Sequence, residues 1–165
     1  MQYRRITREK LNVSLLGYGC MRFPVIDGDN SRIDYDESER MLRLAIENGV
    51  NYIDTAYPYH GGKSEEFVGR VLSHGFREKV LLATKNPVWL VETYNDFMKY
   101  LDQQLVNLQT KTVDFYLLHS LHRKVWDKIM SLGVFDFIKE AKYSGKIKFI
   151  GFSFHDELPV FKEII

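Results

Sequence analysis

Five compact apolar runs constrain this chain more than any other feature. They are residues 13–16 (VSLL), 50–53 (VNYI), 80–84 (VLLAT), 113–118 (VDFYLL) and 147–151 (IKFIG). Apolarity that is continuous rather than strictly alternating suits strands covered by helices on both faces, as in a parallel sheet. Between the runs lie helical patterns with readable ends. Asp36 followed by Glu39 reads as an N-terminal capping box, Met41, Leu42, Ala45 and Ile46 form the apolar stripe behind it, and Gly49 suits the stop. Ser64 reads as the cap of a second helix, with Glu65 and Glu66 in its first turn and Gly75 past its end. Thr93 reads as the cap of a third, whose Phe97, Leu101, Leu105 and Leu108 recur at helical spacing. A fourth stretch covers residues 123–143 with an interruption near Gly133, and residues 155–165 open a fifth. Residues 3–6 and 11–13 are expected to add a small N-terminal hairpin.

Strict alternation of strand and helix implies parallel strands joined by right-handed crossovers. An open doubly wound sheet and a (β/α)8 barrel both satisfy that order. The first strand leads into Gly17-Tyr18-Gly19-Cys20-Met21-Arg22, which lacks the third glycine of a dinucleotide fingerprint and runs into no prompt helix. The sequence therefore favours the α/β, TIM-type barrel. A whole barrel takes about 250 residues and eight strands. This chain is expected to hold its N-terminal portion, from the first strand to the start of the fifth helix, as one domain over residues 1–165.

Formal net charge is +1, which gives no electrostatic reason to expect nucleic acid or an anionic membrane as partner. The densest basic stretch, with Lys139, Lys142, Lys146 and Lys148, reads as a helix's last turn and the loop after it. A single cysteine, Cys20, excludes an intrachain disulfide and a Cys-ligated metal site, and no metal is expected. The first ten residues are charged and lack the apolar core of a signal peptide. No apolar run approaches the length of about 20 residues that spans a bilayer. A soluble, cytoplasmic protein is the expectation.

Active sites of parallel α/β barrels lie at the C-terminal ends of the strands. Asp54 follows the second apolar run directly, Lys85 the third and His119 the fourth, and Tyr59 lies five residues beyond Asp54. Each residue alone has an ordinary explanation: a turn former, a solvated cation, a core imidazole, one of ten tyrosines. Three consecutive strands delivering ionisable groups to one end is harder to assign to accident. A phenol near neutral pH is a poor proton donor, an adjacent ammonium makes it a better one, and a carboxylate keeps that ammonium charged when buried. Asp54, Lys85, Tyr59 and His119 thus read as a general-acid device in which the imidazole orients or polarises a substrate oxygen. Tyr18, Phe23, Tyr57 and Trp89 are candidates to line an apolar pocket beside it.

The segment Asp54-Thr55-Ala56-Tyr57-Pro58-Tyr59-His60-Gly61 resembles the Asp-Thr-Ala-x-x-Tyr-x-Gly signature of the aldo-keto reductases, and Lys85 and His119 match that family's remaining catalytic positions in order. Residues 16–21 look like the family's first strand and cofactor-side loop, and residues 148–153 like its fifth strand. The resemblance implies a barrel that interconverts aldehydes or ketones and alcohols with NADP, or NAD, as cofactor. It implies Tyr59 as the acid in a tetrad with Asp54, Lys85 and His119. It further implies Gly19, Cys20, Met21 and Asp54 along the cofactor, and Ser153 on the nicotinamide carboxamide. Phe154 stands where the family carries an Asn beside that serine. Residues 57–65 and 151–156 are similar to a microbial branch whose longer members carry a C-terminal iron–sulfur segment, which one cysteine cannot supply. Five strands leave two sheet edges open, so self-association is an expectation. A non-catalytic binding or regulatory module, or a chain that works only with a partner, remains the alternative.

Overall fold

Two short strands precede the barrel elements. In the computed structural model, which describes residues 1–6 and 10–165, β1 (Tyr3–Ile6) and β2 (Leu11–Ser14) pair antiparallel as the expected hairpin. The Tyr3 hydroxyl donates to the Gly49 carbonyl (2.9 Å), and the Asn51 side chain bridges Ser14 N–H and the Asn12 carbonyl (both 2.8 Å). The hairpin is thereby tied to the chain on either side of Val50, just ahead of the second barrel strand.

The main sheet contains β3 (Tyr18–Gly19), β4 (Tyr52–Asp54), β5 (Leu81–Asn86), β6 (Val113–Leu121) and β7 (Ile147–Phe154). They lie in sequence order and every neighbouring pair is parallel. Helices α1 (Tyr35–Glu47), α2 (Ser64–Ser73), α3 (Tyr94–Asn107), α4 (Arg123–Ser131), α5 (Val134–Tyr143) and α6 (Leu158–Ile164) fill the connections. The result is the first part of a (β/α)8 barrel, as the alternation implies.

Several boundaries differ from the sequence reading: β4, β5 and β6 end one to three residues later than the runs at 50–53, 80–84 and 113–118. Of the strand expected over residues 13–16, Val13 and Ser14 belong to the hairpin and Leu15 and Leu16 to no strand, and the first barrel strand is the shorter Tyr18–Gly19. Leu15 and Leu16 are 54% and 61% exposed, so their apolarity does not mark a buried strand. The cap of α1 is Asp34, whose carboxylate accepts from Glu37 N–H (3.2 Å), not Asp36. The last strand runs on to Phe154 because Leu121 and Phe154 still pair beyond a register shift in β6. Ser64, expected to cap the second helix, is instead the first residue of α2, because its hydroxyl is taken up by the Thr55 hydroxyl (2.9 Å) and the Cys20 carbonyl (3.1 Å). Other local signals hold. Thr93 and Asp96 form a reciprocal capping box on α3, and Gly133, at φ +83, separates α4 from α5. In the basic stretch Lys139 pairs with Asp136, Lys146 with Asp102 and Lys148 with Asp114.

The main core lies between sheet and helices. Val68, Val71 and Leu72 of α2, Phe97 and Leu101 of α3, Tyr116 of β6 and Phe137 of α5 are buried there. Phe97 and Phe137 stack at 5.0 Å, and burying a side chain of that size contributes about 1.5–3 kcal/mol. A polar knot crosses the same layer: Glu65 of α2 accepts from the Thr84 hydroxyl and the Gln104 amide (both 2.6 Å), and the Gln104 amide also reaches the Lys85 carbonyl (2.9 Å). The knot fixes the C-terminal half of β5 against α2 and α3, where it matters for the site.

Helices α2 and α3 approach so closely at Gly69 that a side chain has no room. An added Cβ would lie 2.5 Å from the Asn107 carbonyl oxygen and 2.7 Å from the Leu108 Cα. Gly69→Ala is therefore expected to destabilise the chain by about 1–3 kcal/mol, despite the better helix propensity of alanine. The midpoint of chemical denaturation checks this, and an unchanged or raised midpoint would show that the two helices can part cheaply.

Candidate active site

A buried ammonium needs acceptors for its three protons, and Lys85 finds three. Its Nζ donates to Asp54 Oδ1 (2.6 Å), to the Thr55 carbonyl (2.9 Å) and to the Tyr59 hydroxyl oxygen (3.1 Å). The Lys85 side chain is 6% exposed, while that of Asp54 is 27% exposed, so the carboxylate reaches toward the mouth and the cation lies beneath it. Parallel pairing produces this directly. Asp54 closes β4 opposite Ala83, and Lys85 stands two residues farther along β5. Tyr59 begins a tight turn, residues 59–62, that folds back over the strand end.

His119 joins them from β6. Its ring lies edge-on to Tyr59 (6.0 Å between centroids) and to Trp89 (5.2 Å). The strand-end reading needs a small correction. Lys85 is one residue, and His119 two residues, inside the end of its strand, because β6 continues to Leu121. The register shift in β6 spans residues 118–121, and within it Ser120 takes a left-handed φ of +56°. Its N–H donates to Ser153 Oγ (2.7 Å), which joins β7 to the same rim. Burial pushes the His119 imidazole down from 6.5 to about 4, helped by the Lys85 ammonium and by His155. The ring is thus neutral at pH 7. Its Nδ1 is buried and has no hydrogen-bond partner among the described residues.

A cleft of about 620 Å³ opens over this cluster, lined among others by Met21, Pro58, Tyr59, Trp89, His119 and His155. Of the other expected site residues, Gly19 is exposed, and an added Cβ there would meet nothing within 4 Å. Met21 is 53% exposed at the rim, whereas Cys20 is fully buried. Burial pushes the Cys20 thiol well up, and the Asp54 charge adds to this while Lys85 opposes it, so the thiol belongs to the core. Phe154 turns its ring onto Phe161 of α6 (5.5 Å). Of the four aromatic candidates only Trp89 lines this cleft. Phe23 is core, Tyr18 packs on Phe23 (6.1 Å) and Tyr57 packs on Tyr100 (5.5 Å).

Sequence reasoning missed two contributors. The Thr55 carbonyl carries no side-chain signal, so only the fold places it under Lys85. His60 is fully buried and bridges the turn to the loop after β3; its position beside Tyr59 was the one available clue. No helix among the described residues is long and apolar enough to cross a membrane.

Comparison with known proteins agrees with this architecture. The family model of the Aldo/keto reductase family matches residues 15–164. The oxidoreductase YrpG of Bacillus subtilis is 31% identical over 174 residues, covering 93% of this chain and 49% of the relative. Aldo-keto reductase YhdN of the same organism is 30% identical, covering 93% and 47%. Among solved structures, the holo form of aldo-keto reductase AKR11C1 from Bacillus halodurans superposes with a TM-score of 0.79 at 30% identity, over 99% of this chain and 53% of that one. An aldo/keto reductase from Klebsiella pneumoniae in complex with NADP and acetate gives 0.71 at 27% identity, over 87% and 47%. The chain spans about half the length of these relatives. With the family model matching all but the first fourteen residues and the last, and a partial parallel barrel holding Asp54, Tyr59, Lys85 and His119 together, this chain belongs to the aldo/keto reductase family.

Proposed function

We propose that this chain carries the proton-donating half of a site that interconverts aldehydes or ketones and alcohols. The observation that supports the reading most is the Lys85 ammonium, buried and bonded at once to Asp54, Thr55 and Tyr59. Because the Tyr59 oxygen accepts from Lys85, its own O–H proton is free to point elsewhere. The ammonium then stabilises the phenolate left when that proton moves to a developing alkoxide. Asp54 compensates the buried cation. His119, neutral at pH 7, orients the substrate oxygen by donating an N–H, without competing as an acid.

The residues present fit a nicotinamide cofactor on this side of the cleft. Gly19 leaves open space above its backbone, Met21 offers an exposed thioether, and the Ser153 hydroxyl, already an acceptor for Ser120 N–H, keeps a proton to donate to a carboxamide. Gly19, Met21, Asp54 and Ser153 would hold it, with buried Cys20 contributing only from behind. When bound in its reduced form, such a cofactor, NADPH or NADH, would supply hydride to the carbonyl carbon and leave oxidised. The relative solved with NADP and acetate favours NADP. The substrate is a small carbonyl compound or alcohol.

A second reading has one observation in its favour. Among the described residues, strand β7, eight residues long, pairs with β6 alone, which leaves its other edge unpaired. On that reading the chain is a binding or regulatory module, or needs another chain to complete the mouth.

Two measurements check the proposal. NADPH fluorescence titration, with reduction of an aromatic aldehyde followed alongside, should give saturable binding. Tyr59→Phe and Lys85→Met should each lower turnover by about 10²–10⁴-fold with affinity for NADPH retained. Turnover by Tyr59→Phe close to the unmutated level would remove Tyr59 from its role, and no binding up to about millimolar NADPH, about 4 kcal/mol, would favour the second reading. His119 should titrate near pH 4 by NMR, against 6.5 for an ordinary imidazole, and its midpoint should rise in Lys85→Met because a repelling cation is gone. Since the unfolded chain takes up this proton first, the stability contributed by neutral His119 is complete above about pH 6.5 and is lost as pH falls toward about 4. A midpoint near 6.5 in the folded chain would show that the imidazole is not desolvated.

A further inference from the structure

We infer that His60 is a positioning residue that fastens the loop after β3 to the turn bearing Tyr59, and that it does so as the neutral Nδ1–H tautomer. The inference rests on the reading of Tyr59 as proton donor, but its geometry is independent of that reading. The His60 ring is 0% exposed. Nδ1 lies 2.8 Å from the Asn30 carbonyl oxygen, which can only accept, and Nε2 lies 3.1 Å from Phe23 N–H, which can only donate. One tautomer satisfies both partners, with Nδ1 carrying the proton and Nε2 bare. An Nε2–H would face another N–H inside the core.

The backbone adds a second, separate observation. His60 has φ +54°, in the left-handed region that side-chain-bearing residues rarely adopt, and Gly61 and Gly62 follow at +63° and +88°. Only the glycines enter that region without penalty. A strained residue persists when its surroundings over-determine it, and the two ring bonds do so here. The ring also packs on Phe23 (5.6 Å), which packs in turn on Phe67 of α2 (4.8 Å).

Loop and turn meet along their whole contact. An added Cβ on Gly61 would lie 3.3 Å from Ser31 Cβ, and at the loop's root the Ser64 hydroxyl donates to the Cys20 carbonyl (3.1 Å). The loop is internally braced by a Val25–Ile33 bridge and an Arg32–Asp27 ion pair. It is therefore braced as a strap, and its rim residues Met21, Arg22 and Asn30 reach the cleft over Tyr59 and His119. His60 bonds the strap at two separated points, Phe23 and Asn30. It is adjacent in sequence to Tyr59, so the position of the strap and that of the phenol are set together.

Imidazole nitrogen-15 spectra of the unmodified chain at neutral pH test the bonding without any substitution. Nδ1 protonated and Nε2 bare is the expected result, and a proton on Nε2 overturns the inference. Backbone amide exchange then tests the positioning. His60→Ala should speed exchange at Phe23 and along residues 21–33 on the order of tenfold or more while core amides of β5 and β6 keep their protection. His60→Gln, whose amide oxygen can accept from Phe23, should restore part of it. Unchanged exchange at Phe23, or loss of protection spread evenly over the core, would reduce His60 to ordinary packing. In aldehyde reduction His60→Ala should lower kcat/KM by as much as about 10²-fold, with KM rising as the rim loosens, as a misplacement of about 1 Å does, and His60→Gln should recover part of the loss. Loosened exchange without loss of an existing turnover would refute the positioning role. Loosened exchange in a chain that reduces nothing even unmutated would count against the proposed function and leave the strap standing.

Discussion

The cation at Lys85 is the constraint that the rest of the site obeys. Removing an ammonium from water costs several kcal/mol even after relaxation, and only close, well-aimed acceptors offset this. Asp54, the Thr55 carbonyl and the Tyr59 hydroxyl provide them within 3.1 Å. Each must therefore lie within hydrogen-bond reach of one point. That requirement ties the end of β4, the turn after it and the end of β5 into one unit. His119, whose imidazole is kept neutral by burial and by the same cation, completes the unit from β6.

Behind this cluster the fold holds the strand ends in place through layers of different chemistry. The apolar layer of α2, α3 and α5 fixes the distance between helices and sheet. The knot of Glu65, Thr84 and Gln104 fixes β5 along its own axis, because Gln104 also holds the Lys85 carbonyl. Burial pushes the Glu65 carboxyl up, and donors from Thr84, Gln104 and Asn107 oppose this. At the other end of the sheet Asp114 collects Arg77, Lys148 and the Leu82 N–H. In front, the strap pinned by His60 sets the rim. The cluster of Asp54, Tyr59, Lys85 and His119 lies at one end of the strands, and the polar contacts of Asp114 at the other link neighbouring strands.

Much of this was legible in the sequence because parallel strands turn linear order into spatial order. Once residues 50–53, 80–84 and 113–118 read as neighbouring strands, Asp54, Lys85 and His119 had to come to one end. The cap at Thr93 and the break at Gly133 were legible for a local reason, since both act within one turn of chain. What failed had competing signals nearby. Asp34 and Glu37 stand at the same spacing as Asp36 and Glu39, so spacing alone could not choose the cap of α1. Residues 13–16 are more apolar than Tyr18–Gly19, yet Leu15 and Leu16 face solvent and the weaker pair forms the barrel strand. His60 and Thr55 were illegible because their roles rest on a left-handed turn and a main-chain oxygen, which residue type does not announce.

The claim that most depends on this geometry is that Asp54 and Lys85 act through Tyr59 and not separately. A double-mutant cycle on aldehyde reduction tests it, using Asp54→Asn, Tyr59→Phe and Lys85→Met singly and in pairs. Strong non-additivity is expected, with Asp54→Asn costing little further once Lys85 is Met, and neither Asp54→Asn nor Lys85→Met costing much once Tyr59 is Phe. Losses that simply multiply would contradict it, because they would mean that the three residues contribute independently and that the buried ammonium organises nothing.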